Sequence, residues 1–171
     1  MLRDIAEWLA NSPAREFSAG LLSSIPGLPP ILQTLHLLSI VAIMASIVLI
    51  DLRILGLAVP SQQLDEMIIR LRAWTMWGVI GAMMSGILFV LARPNRYLLN
   101  PVFQIKFILL IGVLILTVCF YRWSAKNPFS HESVNNIGIA KGVAVVSLLM
   151  WIGVIMAGRW IAYSEYLFWP G

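Results

Sequence analysis

Four long apolar runs alternate with short, polar, turn-rich stretches along this chain. The first, ILQTLHLLSIVAIMASIVLI from Ile31 to Ile50, ends abruptly in Asp51-Leu52-Arg53. At a rise of about 1.5 Å per residue, a run of this length crosses a hydrocarbon core of about 30 Å as a helix. The pattern predicts four membrane-spanning helices, at about 31–56, 73–92, 101–121 and 142–161. Gly56 with Pro60 closes the first, Pro94 stops the second, and Asn100-Pro101 opens the third as a cap followed by a first-turn proline. Ser61 is the expected cap of the second helix, with Asp65 and Glu66 in its first turns. Arg122 to Asn136 is polar and rich in turn formers, and reads as a loop. The expected fold class is all-α: an integral membrane four-helix bundle in residues 31–171, preceded by an amphipathic helical segment in residues 1–30.

In that segment Leu2, Ile5, Trp8 and Leu9 share one side of a short helix, opposite Arg3, Asp4 and Glu7. Ser12-Pro13 then signals a second helix, with Phe17, Leu21 and Leu22 on its apolar side. Both helices can lie along the membrane surface or pack across the mouth of the bundle. Ile25-Pro26-Gly27-Leu28-Pro29-Pro30 breaks the run and turns the chain into the bilayer.

Composition agrees with a lipid solvent: 60% of the 171 residues are apolar and only 12% are charged. The net charge of +4 does not indicate nucleic acid, because the basic residues sit at the ends of apolar runs, where lipid head groups are. Cys119 is the one cysteine and lies within a span, which excludes an intrachain disulfide and a cysteine metal site. No secretory signal peptide is expected, because Arg3, Asp4 and Glu7 precede any apolar core. Trp74, Trp77 and Trp123 mark one membrane interface, and Tyr97, Trp160 and Tyr163 the other.

Four spans place both termini on one side. The basic residues divide evenly, with Arg3, Arg15, Arg93, Arg96, Lys106 and Arg159 on the terminal side and Arg53, Arg70, Arg72, Arg122, Lys126 and Lys141 on the other. Arg3 lies far from any span, so the rule that cytoplasmic loops retain positive charge tips the termini outward.

Lipid offers little hydrophobic gain on helix contact, so small residues have to carry the packing. Gly78, Gly81, Ala82 and Ser85 share one face of the second span. Ser39, Ala42 and Ser46 share one face of the first, with His36 at its margin, and Ala144, Ser147 and Gly158 are the candidates on the fourth. These stripes read as helix contacts first.

His36 lies about 8 Å inside its helix by the rise per residue. An ionisable group there costs about 2.5 to 3.5 kcal/mol on insertion scales and is a functional candidate by default. At the same depth the spans place Lys106 and Met156, with Gln104 and Arg159 nearer the surface, so His36, Lys106, Met156 and Arg159 form the candidate ligand layer. Two readings of His36 stand side by side: a neutral imidazole bonded to a neighbouring helix, or a contact to haem, a quinone or a lipid head group. Haem b held by two histidines fails within one chain, since His131 lies in the third loop at the opposite surface. Pairing with Met156, or His36 from each half of a two-fold dimer, would supply the missing ligand. At the other surface Asp51 faces a basic layer of Arg72, Arg122 and Lys141, where a structural ion pair is expected, while Arg53 is placed to meet lipid phosphates. HExxH, G-x-S-x-G, Walker A and G-x-G-x-x-G motifs are missing, and no proline interrupts a span as in many carriers.

The stretches LHLLSIVAIMASIVLIDLRILGLAVP, RYLLNPVFQIKFILL and SLLMWIGVIMAGRWIAY together resemble an uncharacterised family of small four-span bacterial membrane proteins, a domain of unknown function. The likeness runs from about Ile31 to Tyr163 and is most specific at His36, Asp51, Arg53, Asn100, Pro101, Gly158 and Arg159. It implies a bacterial inner-membrane location and no established activity. It also implies a second histidine at the end of the third span, where this chain has Tyr121 before Arg122, and that departure weakens a two-histidine site. A fainter likeness to copper-resistance and cytochrome b561-type membrane proteins is confined to the His-Leu-Leu start. The resulting expectation is a non-enzymatic accessory subunit or small-ligand binder in contact with lipid, alone, with other membrane subunits or as a homo-oligomer. The rivals are a b-type haem electron-transfer protein and a permease-like transport subunit.

Overall fold

The computed structural model describes residues 1–127, 129 and 134–163, so His131 lies outside the described residues. Among the described residues seven α-helices follow one another: α1 Leu2–Ala10, α2 Pro13–Ser24, α3 Leu28–Ile54, α4 Leu64–Ala92, α5 Pro94–Leu98, α6 Pro101–Lys126 and α7 Val134–Trp160, with a 3₁₀ turn at Ile161–Tyr163. Four of them, α3, α4, α6 and residues 137–160 of α7, are long and apolar enough to cross a membrane, and the chain is a multi-pass membrane protein.

Local chemistry sets most helix limits. Ser12 accepts from the Arg15 amide at 3.4 Å to open α2. Asn100 accepts from the Val102 amide at 2.9 Å and the Phe103 amide at 3.4 Å to open α6. Both caps precede a proline, whose missing N–H costs nothing in a first turn. Gly27 at φ +83° and Gly56 at φ +79° bracket α3 in the left-handed conformation that lets the chain turn sharply at either end. Ser61 does not cap α4 as expected: the helix begins at Leu64 behind Gln63, with no side-chain cap.

Three helices outrun their apolar stretches. α4 starts nine residues before Ala73, α6 continues through Lys126, and α7 begins at Val134 rather than near Gly142, which corrects the reading of 122–136 as a loop. Hydropathy marks the length immersed in lipid, whereas backbone hydrogen bonding continues into water wherever no proline or glycine stops it. Arg53 caps the connection beyond α3, donating to the Gln62 carbonyl at 3.0 Å and the Pro60 carbonyl at 3.3 Å. Its guanidinium is therefore tied to the loop as well as being near the head groups.

α3 packs along α4 and α6 along α7, and α3 also meets α7, so the bundle is two antiparallel hairpins joined through α3 and α7. Ile43, Ile47, Val113, Trp151 and Val154 form its inner core, and Ile50, Ile54, Ile68, Ala140 and Ala144 continue it toward the α3–α4 connection. Leu38, Val41, Ile69, Met84, Ile108 and Leu149 point outward, as lipid contact requires. The α3–α4 backbones approach closely at Gly78, where an added Cβ would sit 2.9 Å from the Ser39 carbonyl oxygen and 3.2 Å from the Ile43 amide nitrogen. Those are backbone atoms and have no rotamer by which to move aside.

Of the two arrangements open to the N-terminal segment, packing on the bundle is the one observed. α1 rests on α5 and α2 on α4, burying Ala6 and Ser18. Leu2, Ile5, Trp8 and Phe17 still face outward, a composition suited to the interfacial region.

Because the seam admits no Cβ, Gly78→Ala is expected to lower thermal stability in detergent by about 1–3 kcal/mol. Gly20→Ala, whose added Cβ meets nothing within 4 Å, is expected to be neutral or mildly stabilising. Equal melting behaviour of the two variants would contradict the seam.

Candidate functional site

Two polar places interrupt the apolar interior, one toward each end of α3. The first is built on His36. Its Nδ1 lies 2.9 Å from the Ser85 hydroxyl of α4. Ser85 is itself buried and donates to the Gly81 carbonyl at 2.6 Å, as a serine within a helix commonly does. A hydroxyl has one proton, so Ser85 accepts from His36, and the ring is the tautomer with hydrogen on Nδ1. In that tautomer Nε2 carries a lone pair.

Room for the ring comes from α4. A Cβ at Gly86 would stand 3.2 Å from His36 Cε1, so glycine there opens the slot that the imidazole fills. The Ala82 carbonyl also faces the ring, and Lys106 of α6 is within electrostatic range. The Lys106 ammonium extends to Gly158 of α7, with Nζ 3.5 Å from where a Cβ would be. His36 and Lys106 are thus brought to one layer spanning α3, α4, α6 and α7.

The other two expected members stand apart from this pair. Met156 is 49% exposed on the outer side of α7. Arg159 is exposed and turned to Tyr163, donating to its hydroxyl at 3.3 Å with the guanidinium 5.4 Å from the ring centroid. Gln104 donates to the Leu98 carbonyl at 2.9 Å and serves the α5–α6 turn.

The second place is Asp51, 5% exposed, near the end of α3. The expected ion pair with Arg72, Arg122 or Lys141 is not formed among the described residues, whose salt bridges are Met1–Asp4 and Arg70–Glu66. Arg72 and Arg122 are exposed, and Lys141 lines an outer cleft with Arg53 and Asp65. The long basic side chains carry their charge to the interface, so the carboxyl is left to hydroxyl groups: Ser147 of α7 contacts it, while Oδ2 has no hydrogen-bond partner.

Ser85 and Ser147 belong to the small-residue stripes of the sequence, which give no sign of a polar role beyond their spacing, and Gly86 lies next to Ser85 outside the stripe. Thr75, Thr117 and Tyr121 carry no signal of a site in the sequence beyond a hydroxyl within an apolar run. Among the described residues no group of three or more His, Cys, Asp or Glu side chains could hold a metal ion.

Residues 28–164 fit a family of unknown function, DUF6644, and the chain belongs to that family. No curated protein and no solved structure matches it.

The tautomer is directly measurable. Nitrogen-15 NMR of histidine-labelled protein in lipid is expected to show His36 with a protonated Nδ1 and a bare Nε2, and Ser85→Ala should shift the Nδ1 resonance. A protonated Nε2 in the wild type would contradict the hydrogen-bond chain.

Proposed function

We propose that this protein is a non-enzymatic, membrane-embedded binder of a small polar-headed ligand, a quinone or a lipid, acting as an accessory subunit. His36 and Lys106 are the primary contacts, and Met156 and Arg159 flank the approach from lipid. One observation carries the reading: an imidazole anchored through Nδ1 to Ser85 of the neighbouring helix, with Lys106 within electrostatic range, inside a membrane bundle. With hydrogen on Nδ1, Nε2 is an acceptor to which a ligand hydroxyl would donate. Lys106 would supply the opposite polarity to a carbonyl or phosphate oxygen.

The rival of a b-type haem protein draws on the same lone pair, since an axial histidine binds iron through one nitrogen and donates from the other. Met156, or His36 of a second copy, would have to complete the coordination. A transport subunit finds its support only at Asp51. The bacterial inner membrane, outward termini and assembly with other subunits or a second copy belong to this proposal.

Purified protein in nanodiscs is expected to be colourless and to quench its tryptophan fluorescence on titration with a short-chain quinone or an added phospholipid. His36→Ala should weaken that binding about tenfold, the loss of one good hydrogen bond. A Soret band that disappears in His36→Ala would replace this reading with haem ligation. Undiminished binding in His36→Ala would remove the site.

A further inference from the structure

Asp51 borders a small cavity of about 20 Å³ between α3, α6 and α7, lined also by Thr117, Tyr121 and Ser147 among apolar side chains. That is room for one water-sized body. The hydroxyl protons around it are already committed. Thr117 donates to the Val113 carbonyl at 2.8 Å. Thr75 donates to the Leu71 carbonyl at 3.2 Å, so in its 3.1 Å bond with Tyr121 it accepts and the tyrosine donates. Ser147 contacts the Asp51 carboxyl, whose Oδ2 has no partner although the residue is 5% exposed.

What remains on the cavity wall is oxygen lone pairs from Asp51, Thr117 and Tyr121. Such a wall repels anions and attracts a positive centre. The carboxyl also lacks a basic partner inside the bundle, and an uncompensated carboxylate cannot persist there. From the elements around it, the ionisable groups are Tyr121 on α6, Arg72 on α4, exposed and acting on Tyr121, and Lys141 on α7, which lies in the outer cleft with Arg53 and Asp65.

We propose that this cavity is a monocation site, in which Asp51 takes up one small positive charge, Na⁺ or a proton, with Thr117, Tyr121 and Ser147 as oxygen neighbours. It is separate from the His36 layer and does not depend on the ligand assigned there. The occupant fits the cavity in size, in sign and in the single charge it has to neutralise.

Carbodiimide labelling of the wild-type protein in liposomes tests this, because the reagent modifies protonated carboxyl groups in apolar surroundings. The readout is mass spectrometry of the peptide carrying Asp51, with Asp51→Asn as the blank. For a Na⁺ site, labelling falls several-fold when NaCl replaces N-methyl-D-glucamine chloride at constant pH and ionic strength. For a proton site, it falls as pH rises and is indifferent to Na⁺. Labelling that responds to neither, or a carboxyl that never labels under any condition, overturns the proposal and leaves Asp51 a structural group. Thr117→Val, which keeps the shape and removes one oxygen, should weaken the Na⁺ protection or the pH response; an unchanged profile would remove Thr117 from the site.

Discussion

Everything in this bundle rests on how closely α3 and α4 approach. Lipid chains solvate leucine and isoleucine as well as another helix does, so two apolar helices stay paired only where their backbones come near enough for dense contact and specific polar bonds. Gly78 provides that approach against Ser39 and Ile43. Two turns further along the same seam, Gly86 leaves a slot and Ser85 offers an oxygen, and His36 fills the one and donates to the other. One run of small residues thus sets the helix spacing and orients the imidazole.

The polar interior has a common logic at both ends. Each buried ionisable group, His36 near the start of α3 and Asp51 near its end, is met by hydroxyls rather than by an opposite charge. Serine and threonine in a membrane helix can satisfy their own proton on the preceding turn and still present lone pairs sideways. That is the arrangement of Ser85 beside His36 and of Thr117 beside Asp51. Lys106 reaches Gly158 in the His36 layer, whereas Arg72, Arg122 and Arg159 remain exposed at the margins, where their charge reaches water or head groups. At the Asp51 end one buried acceptor, Oδ2, is left unpaired.

Much of the architecture was legible in the chain because hydropathy and capping are local. The four spans, the Ser12 and Asn100 caps and the turn at Gly56 follow from residues within a few positions of one another. The extension of α4 ahead of Ala73 was legible from Asp65 and Glu66 in its first turns, but those of α6 and α7 were not, since a polar helix and a polar loop have the same hydropathy. Depth could be read as well, and it set Lys106 beside His36. Rotation about the helix axis could not, and that is why Met156, at the level of His36, and Arg159, nearer the surface, both face outward. The expected Asp51 ion pair failed for the same reason: a basic layer at the right height says nothing about whether a long side chain turns inward.

The register of α3 against α4 is the claim from which the rest follows, and paired cysteines test it most directly. In a Cys119→Ser background, His36→Cys with Ser85→Cys is oxidised in native membranes, and the 55–63 connection is then cut at an introduced protease site. The account predicts that the two halves stay linked, whereas Leu38→Cys with Ser85→Cys, which places one thiol on the outward face, releases them. Release of the 36–85 pair, or equal linkage of both pairs, would contradict it.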